Sequence, residues 1–213
     1  MSKIRHIIFD LGGVLINLNT ESIEKRFQNI LGHDFSTLLS DLTTQEIFNK
    51  FEVGAFSEEK FFTFFTQASK INREEAIAAW NSILLAFPFH RLELLRSLQK
   101  DYDIYLLSNT NITHVQKIEA DLLKNYGIAD FRGTFFKKGY YSFEVGLRKP
   151  DPQIFQYVLE NAQLDPAETL FIDDGKANIE SAAKLGIQTI LHDPTMEIAP
   201  VLADFLAKAQ LIS

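Results

Sequence analysis

Short apolar runs of strand type recur along this chain, separated by stretches with helical spacing, and that alternation restricts the fold more than any other feature. The runs are His6-Ile7-Ile8-Phe9, Ile104-Tyr105-Leu106-Leu107, Gly133-Thr134-Phe135-Phe136, Thr169-Leu170-Phe171-Ile172 and Gln188-Thr189-Ile190-Leu191. Helical stretches lie between them, among them residues 151–162 and 177–185. Strands that alternate with helices need crossover connections, and so imply a mainly parallel, doubly wound α/β sheet. The segment from Glu21 to about Leu98 is different. Ile23, Phe27, Ile30 and Leu31 recur at helix spacing, as do Phe61, Phe62, Phe65 and Ala68. Ser57 and Asn72 each precede acidic residues in the manner of helix N-caps. This block is far longer than an ordinary crossover and reads as an inserted helical domain. The expected division is a core of residues 1–16 and 99–213, with a small helical cap of residues 17–98 placed after the first strand.

Composition narrows the classes of function. With 213 residues, 46% of them hydrophobic and 23% charged, the chain can bury a full core and still carry a smaller domain. Its 19 phenylalanines cluster between Phe48 and Phe89, which predicts an aromatic subcore in the cap. The net charge of −7 argues against a nucleic-acid surface, and no basic run exceeds the pair Lys137-Lys138. The absence of cysteine excludes disulfides and thiol catalysis and fits a reducing compartment. No apolar stretch approaches the roughly 20 residues of a membrane span. The chain also runs from Met1 almost directly into a strand, with no signal peptide, so a cytoplasmic protein is expected. Oligomeric state is not legible.

Polar residues close several of the strand-type runs. Asp10 follows the first and precedes the turn Gly12-Gly13. A carboxylate there can act as a covalent nucleophile or a metal ligand, although taken alone it fits a turn or an N-cap equally well. Ser108 and Asn109 close the second run and can donate to phosphate oxygens. On local evidence the competing reading, a helix N-cap at Thr110 or Asn111, is the stronger. Lys149 precedes Pro150 and a helix starting near Asp151, where its ammonium could neutralise a phosphate or an aspartate. Asp173 and Asp174 are adjacent carboxylates at a strand end, which repel one another unless a cation stands between them. A hard divalent ion such as Mg²⁺ suits such oxygen ligands.

Taken in order, these segments resemble the four motifs of the haloacid dehalogenase superfamily, across essentially the whole chain. Asp10 in Asp-Leu-Gly-Gly-Val matches the nucleophile of the first motif and Ser108, with Asn109, the second. Lys149 in Gly-Leu-Arg-Lys-Pro matches the third, and Asp173-Asp174 the fourth, with Asn178 and Gly186 in their usual places downstream. The insertion resembles the helical cap of subfamily I, through Phe51-Glu52-Val53-Gly54 and Ser57-Glu58-Glu59. The whole is most similar to the glucose-1-phosphatase-like group and the phosphatase domain of soluble epoxide hydrolases. The resemblance implies a Rossmann-like core and a Mg²⁺-dependent phosphatase of a small phosphorylated metabolite, a sugar phosphate being one option. Asp10 and Lys149 would be catalytic, the former forming an aspartyl-phosphate. Ser108, Asn109 and Lys149 would hold the substrate, while Asp10, the Gly12 carbonyl and Asp174 would bind the metal. Asp173 would orient Lys149 or a metal-bound water.

One position departs from the family pattern. Most phosphatases of the superfamily carry a second aspartate two residues after the nucleophile, which protonates the leaving alcohol and then activates water. Here that position is Gly12. Positioned acid–base catalysis is commonly worth about 10²–10⁴ in rate, so Gly12 opens two alternatives to a full phosphatase. One is a weakly active or non-catalytic phospho-ligand-binding protein. The other is a metal-independent 2-haloacid dehalogenase, which the intact Asp173-Asp174 pair disfavours. Glu52, Asn17 and Asn19 are candidates to replace the missing group by location, against readings as cap or turn residues.

Overall fold

The computed structural model describes residues 3–31, 46–68 and 71–211. Residues 32–45 and 69–70, inside the expected cap, lie outside the described residues, as do the side chains of Ile23, Phe27, Ile30, Leu31 and Ala68.

Strands β1 (His6–Phe9), β2 (Asp103–Ser108), β3 (Lys138–Tyr141), β4 (Thr169–Asp173) and β5 (Gln188–Leu191) form one sheet in the order β3-β2-β1-β4-β5. Every pairing is parallel, with Phe9 opposite Leu106 on one side and Ile172 on the other. The chain steps outward from β1 through β2 to β3, then returns across the sheet to β4 and β5. That reversal puts a switch point between β1 and β4, beyond whose carboxyl ends an open α/β sheet binds its ligands. Asp10 and Asp173 stand there side by side, because the Asp10 backbone N–H donates to the Ile172 carbonyl at 2.9 Å.

Period-two alternation sends successive strand residues to opposite faces, and both faces are buried. On one, Ile7, Phe9, Leu106 and Ile172 pack with Leu92 and Leu95 of helix Phe89–Leu98, Val115 and Ile118 of helix Ile112–Tyr126, and Leu202 of the C-terminal helix Ile198–Leu211. On the other, Ile8, Leu107 and Phe171 pack with Ile154, Phe155 and Val158 of helix Pro152–Ala162. Burying side chains of this size stabilises by about 1.5–3 kcal/mol each.

The third strand is not where the sequence places it. Gly133–Phe136 falls largely within a short helix, Phe131–Phe135, and β3 begins at Lys138. Asp130 decides the matter: its carboxylate accepts the Gly133 N–H at 2.8 Å and its carbonyl accepts the Thr134 N–H at 3.0 Å, which caps a helical turn. Phe131 and Phe135, one turn apart, then bury together. A short apolar run cannot distinguish the two states by periodicity alone.

The described part of the insertion contains helices α1 (Thr20–Leu31), α2 (Glu46–Glu52), α3 (Glu58–Ala68) and α4 (Arg73–Asn81). Both expected caps form: Ser57 Oγ accepts the Lys60 N–H, and Asn72 forms a reciprocal capping box with Glu75. A cluster of Phe51, Phe61, Phe62, Phe65 and Trp80 fills the space between α2, α3 and α4, with Phe51 and Phe61 stacked at 4.0 Å between centroids. Aromatic rings give these short helices the contact area that aliphatic side chains would not. Phe48 stacks on Trp80 within this cluster, whereas Phe87 joins the main core with Leu92, Leu95 and Leu98. By packing, then, helix Phe89–Leu98 goes with the sheet, although the expected cap extends to residue 98.

Candidate active site

Three side chains at the switch point form a tight ionic knot. Lys149 Nζ lies 2.8 Å from Asp10 Oδ1 and 2.6 Å from Asp173 Oδ2, and donates to the Leu107 carbonyl at 3.0 Å. The three hydrogens of the ammonium thus have three acceptors, which lets a 1% exposed lysine keep its charge. Burial by itself would push the Lys149 ammonium down, but the Asp10 and Asp173 carboxylates outweigh it and hold its pKa above the ordinary value. For Asp10 the balance goes the other way. Burial, with the Asp173 charge, lifts its carboxyl above the usual range against the pull of Lys149. The Leu11 N–H also donates to Asp10 Oδ1, at 2.7 Å, so two donors on one oxygen fix the plane of this carboxylate.

Asp173 is committed on both oxygens. Oδ1 accepts from the Gly175 N–H at 2.7 Å and from Asn178 Nδ2 at 2.8 Å, while Oδ2 takes Lys149. This arrangement suits a residue that orients the lysine and leaves little to offer a metal. Asp174 is the complementary case: exposed at the sheet end, with its carboxyl raised by partial desolvation and by the Asp173 charge. A carboxylate oxygen from each of Asp10, Asp173 and Asp174 lies within 4.8 Å of the others. The Gly12-Gly13 turn passes directly over this group. Gly13 has φ +74°, and a Cβ there would stand 2.2 Å from Asp174 Oδ2. Only glycine satisfies both constraints. Asp10 and Asp174, with the Gly12 carbonyl available in the same turn, make an all-oxygen donor set that fits a hard divalent cation.

Ser108 ends β2, buried beside this group. Asn109 is engaged elsewhere: Nδ2 donates to the Lys149 carbonyl at 2.8 Å and Oδ1 accepts the Lys149 N–H at 2.9 Å. The side-chain amide therefore clamps the backbone that carries the lysine. Asn111, not Thr110, caps the next helix, by accepting the His114 N–H at 3.0 Å. Thr110 is held through its backbone by Ser142, whose buried hydroxyl accepts from its N–H at 3.0 Å and donates to its carbonyl at 3.1 Å.

A cavity of about 150 Å³ opens between this site and the insertion. Gly12, Ser108 and Asn109 line it from the sheet, and Leu18, Glu52 and Leu84 from the side of the insertion. The seam is built from contacts that no motif announces. Arg148, next to the lysine, pairs with Glu52 at 2.9 Å and donates to Asn49 Oδ1, both on α2. Trp80 stacks on His114 at 5.2 Å between centroids, and the imidazole Nε2 lies 3.3 Å from the Trp80 carbonyl. Burial lowers the His114 pKa to about 4, so its ring is neutral. Farther out, buried Arg91 donates to the Val14 carbonyl and to Asn17 Oδ1, each at 2.9 Å, and fixes the loop after β1. Motif reading could reach Arg148 and Asn178, which lie inside or just after the quoted segments. For Arg91, His114 and Ser142 the sequence carries no local signal.

The family model for haloacid dehalogenase-like hydrolases matches residues 4–186. Among curated proteins, the D-ribitol-5-phosphate phosphatase of Bacteroides thetaiotaomicron is 29% identical over 188 residues, covering 87% of this chain and 90% of that protein. A haloacid dehalogenase family enzyme from the same organism, crystallised with magnesium and inorganic phosphate, superposes with a TM-score of 0.82 at 33% identity. That match covers 93% of this chain and 98% of the other. A predicted hydrolase of the same kind from Porphyromonas gingivalis gives a TM-score of 0.85 at 33% identity, covering 96% and 98% of the two chains.

Proposed function

The chain belongs to the haloacid dehalogenase-like hydrolases, and on that premise we propose that it is a Mg²⁺-dependent phosphatase of a small sugar or polyol phosphate, working through an aspartyl-phosphate on Asp10. The observation that carries this reading is the pairing of a fixed, buried nucleophile with a separate carboxylate, Asp174, at one end of the sheet.

In this mechanism the phosphorus of the substrate sits beyond the carboxyl ends of β1 and β2. Asp10 attacks it in line, while the Lys149 ammonium and the Ser108 hydroxyl face the phosphoryl oxygens as charge redistributes. Asp173 and Asn109 act through Lys149, although Asn109 lines the cavity as well. The first holds the ammonium of Lys149 and the second its backbone. Asp10, Asp174 and the Gly12 carbonyl would hold Mg²⁺, which would supply positive charge to the transferring phosphoryl group. A local cation is needed, because a protein of net charge −7 repels a phosphate dianion at long range.

Two features support a small substrate. The cavity of about 150 Å³ lies below the ordinary range of ligand pockets, roughly 300–1,000 Å³. The Bacteroides relative acts, by its name, on an acyclic sugar-alcohol phosphate. A metal-independent dehalogenase is disfavoured, because Lys149 pairs with Asp10 and Asp173 alone, and the Asp174 carboxylate stands close to both with no ammonium contact among the described residues.

The test is phosphate release from short sugar and polyol phosphates and from p-nitrophenyl phosphate, with Mg²⁺ or with a chelator, using Asp10→Asn as control. Turnover should require Mg²⁺ and vanish in the variant. If inorganic phosphate binds but no ester is cleaved, the protein is a phospho-ligand binder. Halide release from 2-chloropropionate without metal would make it a dehalogenase.

A further inference from the structure

The site as described has no group to handle the proton of the leaving alcohol. Gly12 is not simply an empty slot, because a Cβ built there would stand 2.9 Å from Leu18 Cδ1. The aliphatic side chain lies where a longer residue would begin. Two nearby asparagines are already engaged: Asn17 Oδ1 accepts from Arg91 at 2.9 Å, and Asn19 Oδ1 accepts the Ser22 N–H at 3.0 Å. His114 also lines the cavity, but Asn111 Nδ2 stands 3.1 Å from its Nδ1 and the Trp80 carbonyl 3.3 Å from its Nε2. Both ring nitrogens have partners.

Glu52 remains. It is the last residue of α2 and shares the cavity wall with Gly12, Ser108 and Asn109. Two contacts register it against the sheet. On one side Arg148 pairs with its Oε2 at 2.9 Å and is itself tied to Asn49, one helical turn earlier. On the other, the chain turns at Gly54, with φ +70°, so close to the core that a Cβ there would stand 2.2 Å from the Phe143 carbonyl. Among the described residues no hydrogen bond reaches either oxygen, and Oε2 is taken up by the ion pair with Arg148, which leaves Oε1 for a ligand. Arg148 directly precedes Lys149, so the residue that places Glu52 and the one that grips Asp10 are neighbours in the chain.

We propose that Glu52 is the general acid and base of the reaction, supplied from the cap in place of the carboxylate absent at Gly12, with Arg148 as its positioning residue. This rests on the phosphatase reading above. In the first half-reaction an Asp10 oxygen forms a bond to phosphorus, the bond from phosphorus to the ester oxygen breaks, and the Glu52 carboxyl proton passes to that oxygen. In the second, water attacks phosphorus, its proton goes to the Glu52 carboxylate, and the Asp10 bond breaks to release phosphate. The cycle consumes one water and restores both carboxyls. Burial raises the Glu52 pKa against the pull of Arg148 and Lys149, the charged groups that face it, and so favours the protonated form the first step needs.

Leaving-group dependence tests this, because a merely structural role cannot mimic it. Glu52→Gln keeps the shape and a polar contact to Arg148 but has no proton to give. The readout is kcat/KM, which covers only the steps up to release of the alcohol. With a polyol or alkyl phosphate it should fall about 10²–10⁴-fold, and with p-nitrophenyl phosphate, whose anion leaves unaided, by less than about threefold. Arg148→Gln should show the same skew to a smaller degree. An equal fall with both substrates would overturn the proposal in favour of a structural role, as would no fall with either. If Arg148→Gln shows no skew, the positioning role of Arg148 is wrong. A wild-type protein inactive on both esters would instead overturn the phosphatase reading itself.

Discussion

The sheet end and the seam beneath the cap solve opposite problems. At the sheet end charges are buried at high density, yet each is held by hydrogen bonds: three acceptors surround Lys149, three donors hold Asp173 and two hold Asp10. Among the described residues the seam is mostly aliphatic and aromatic, with a single ion pair, Arg148–Glu52, and one neutral imidazole crossing it. A satisfied polar network fixes atoms in place, which a nucleophile requires. An apolar seam with few polar ties can separate and re-form, as substrate entry requires. On the proposed function, rigidity and access are thus divided between two regions of one small protein.

Removing the ammonium should be the largest perturbation. Lys149→Met leaves the Asp10 and Asp173 carboxylates facing one another in a buried site. Breaking a buried pair in this way typically costs about 3–5 kcal/mol. Chemical denaturation should report that loss in metal-free protein, and turnover should fall at least about 10²–10³-fold through lost charge stabilisation. A variant as stable as wild type would mean that the knot does not order the sheet end, and the contrast with the seam would fail.

The cap offers the second test. Phe61 is fully buried, stacked on Phe51 and set edge-on to Trp80 at 4.9 Å. Phe61→Ala should cost about 3–5 kcal/mol, confined to the aromatic cluster. Trp80 is the only tryptophan, so its fluorescence reports the cap while far-UV circular dichroism reports mainly the sheet and its helices. The fluorescence transition should move to lower denaturant than the dichroism transition. If the two still coincide, the cap and core are one cooperative unit.

How much of this was legible in the sequence follows the same division. Asp10, Ser108, Lys149 and Asp173 could be placed because each closes a strand-type run or, for Lys149, precedes a proline-marked helix start, so their signal is local. The third strand was misplaced because Gly133–Phe136 satisfies strand and helix patterns alike, and the Asp130 cap tips the balance. Asn109 could be located but not interpreted: its amide partner lies 40 residues away, at Lys149. The seam was least legible. The His114 partner is Trp80, 34 residues earlier, and the Arg91 partner is Val14, 77 residues earlier. Such pairs exist only once the chain has folded, and neither residue belongs to a motif. Gly12 was legible as a missing side chain and Glu52 as one of three candidates to replace it by location, whereas Leu18 packed against Gly12 and the Arg148 contact that places Glu52 were not.

The smallest effect is also the one that separates the two regions by sign. Burial holds the His114 pKa at about 4, below the ordinary 6.5. The folded seam therefore prefers the neutral ring. Its contribution is complete above the ordinary value and is lost as pH falls towards about 4, by at most about 1.4 kcal/mol per unit. Asp10 behaves in the opposite way in metal-free protein. Its folded pKa is raised above 3.8, so acidification within that window stabilises the sheet end. Denaturation followed by Trp80 fluorescence in the presence of a chelator, at about pH 7 and about pH 5, should show the two terms partly cancelling in wild type. His114→Gln removes only the acid-sensitive term of the seam, so the variant should gain on the order of 1 kcal/mol relative to wild type on moving to the lower pH. Parallel pH dependence in the two proteins would mean that the imidazole titrates as freely folded as unfolded, and that the stacked contact with Trp80 does not exclude its proton.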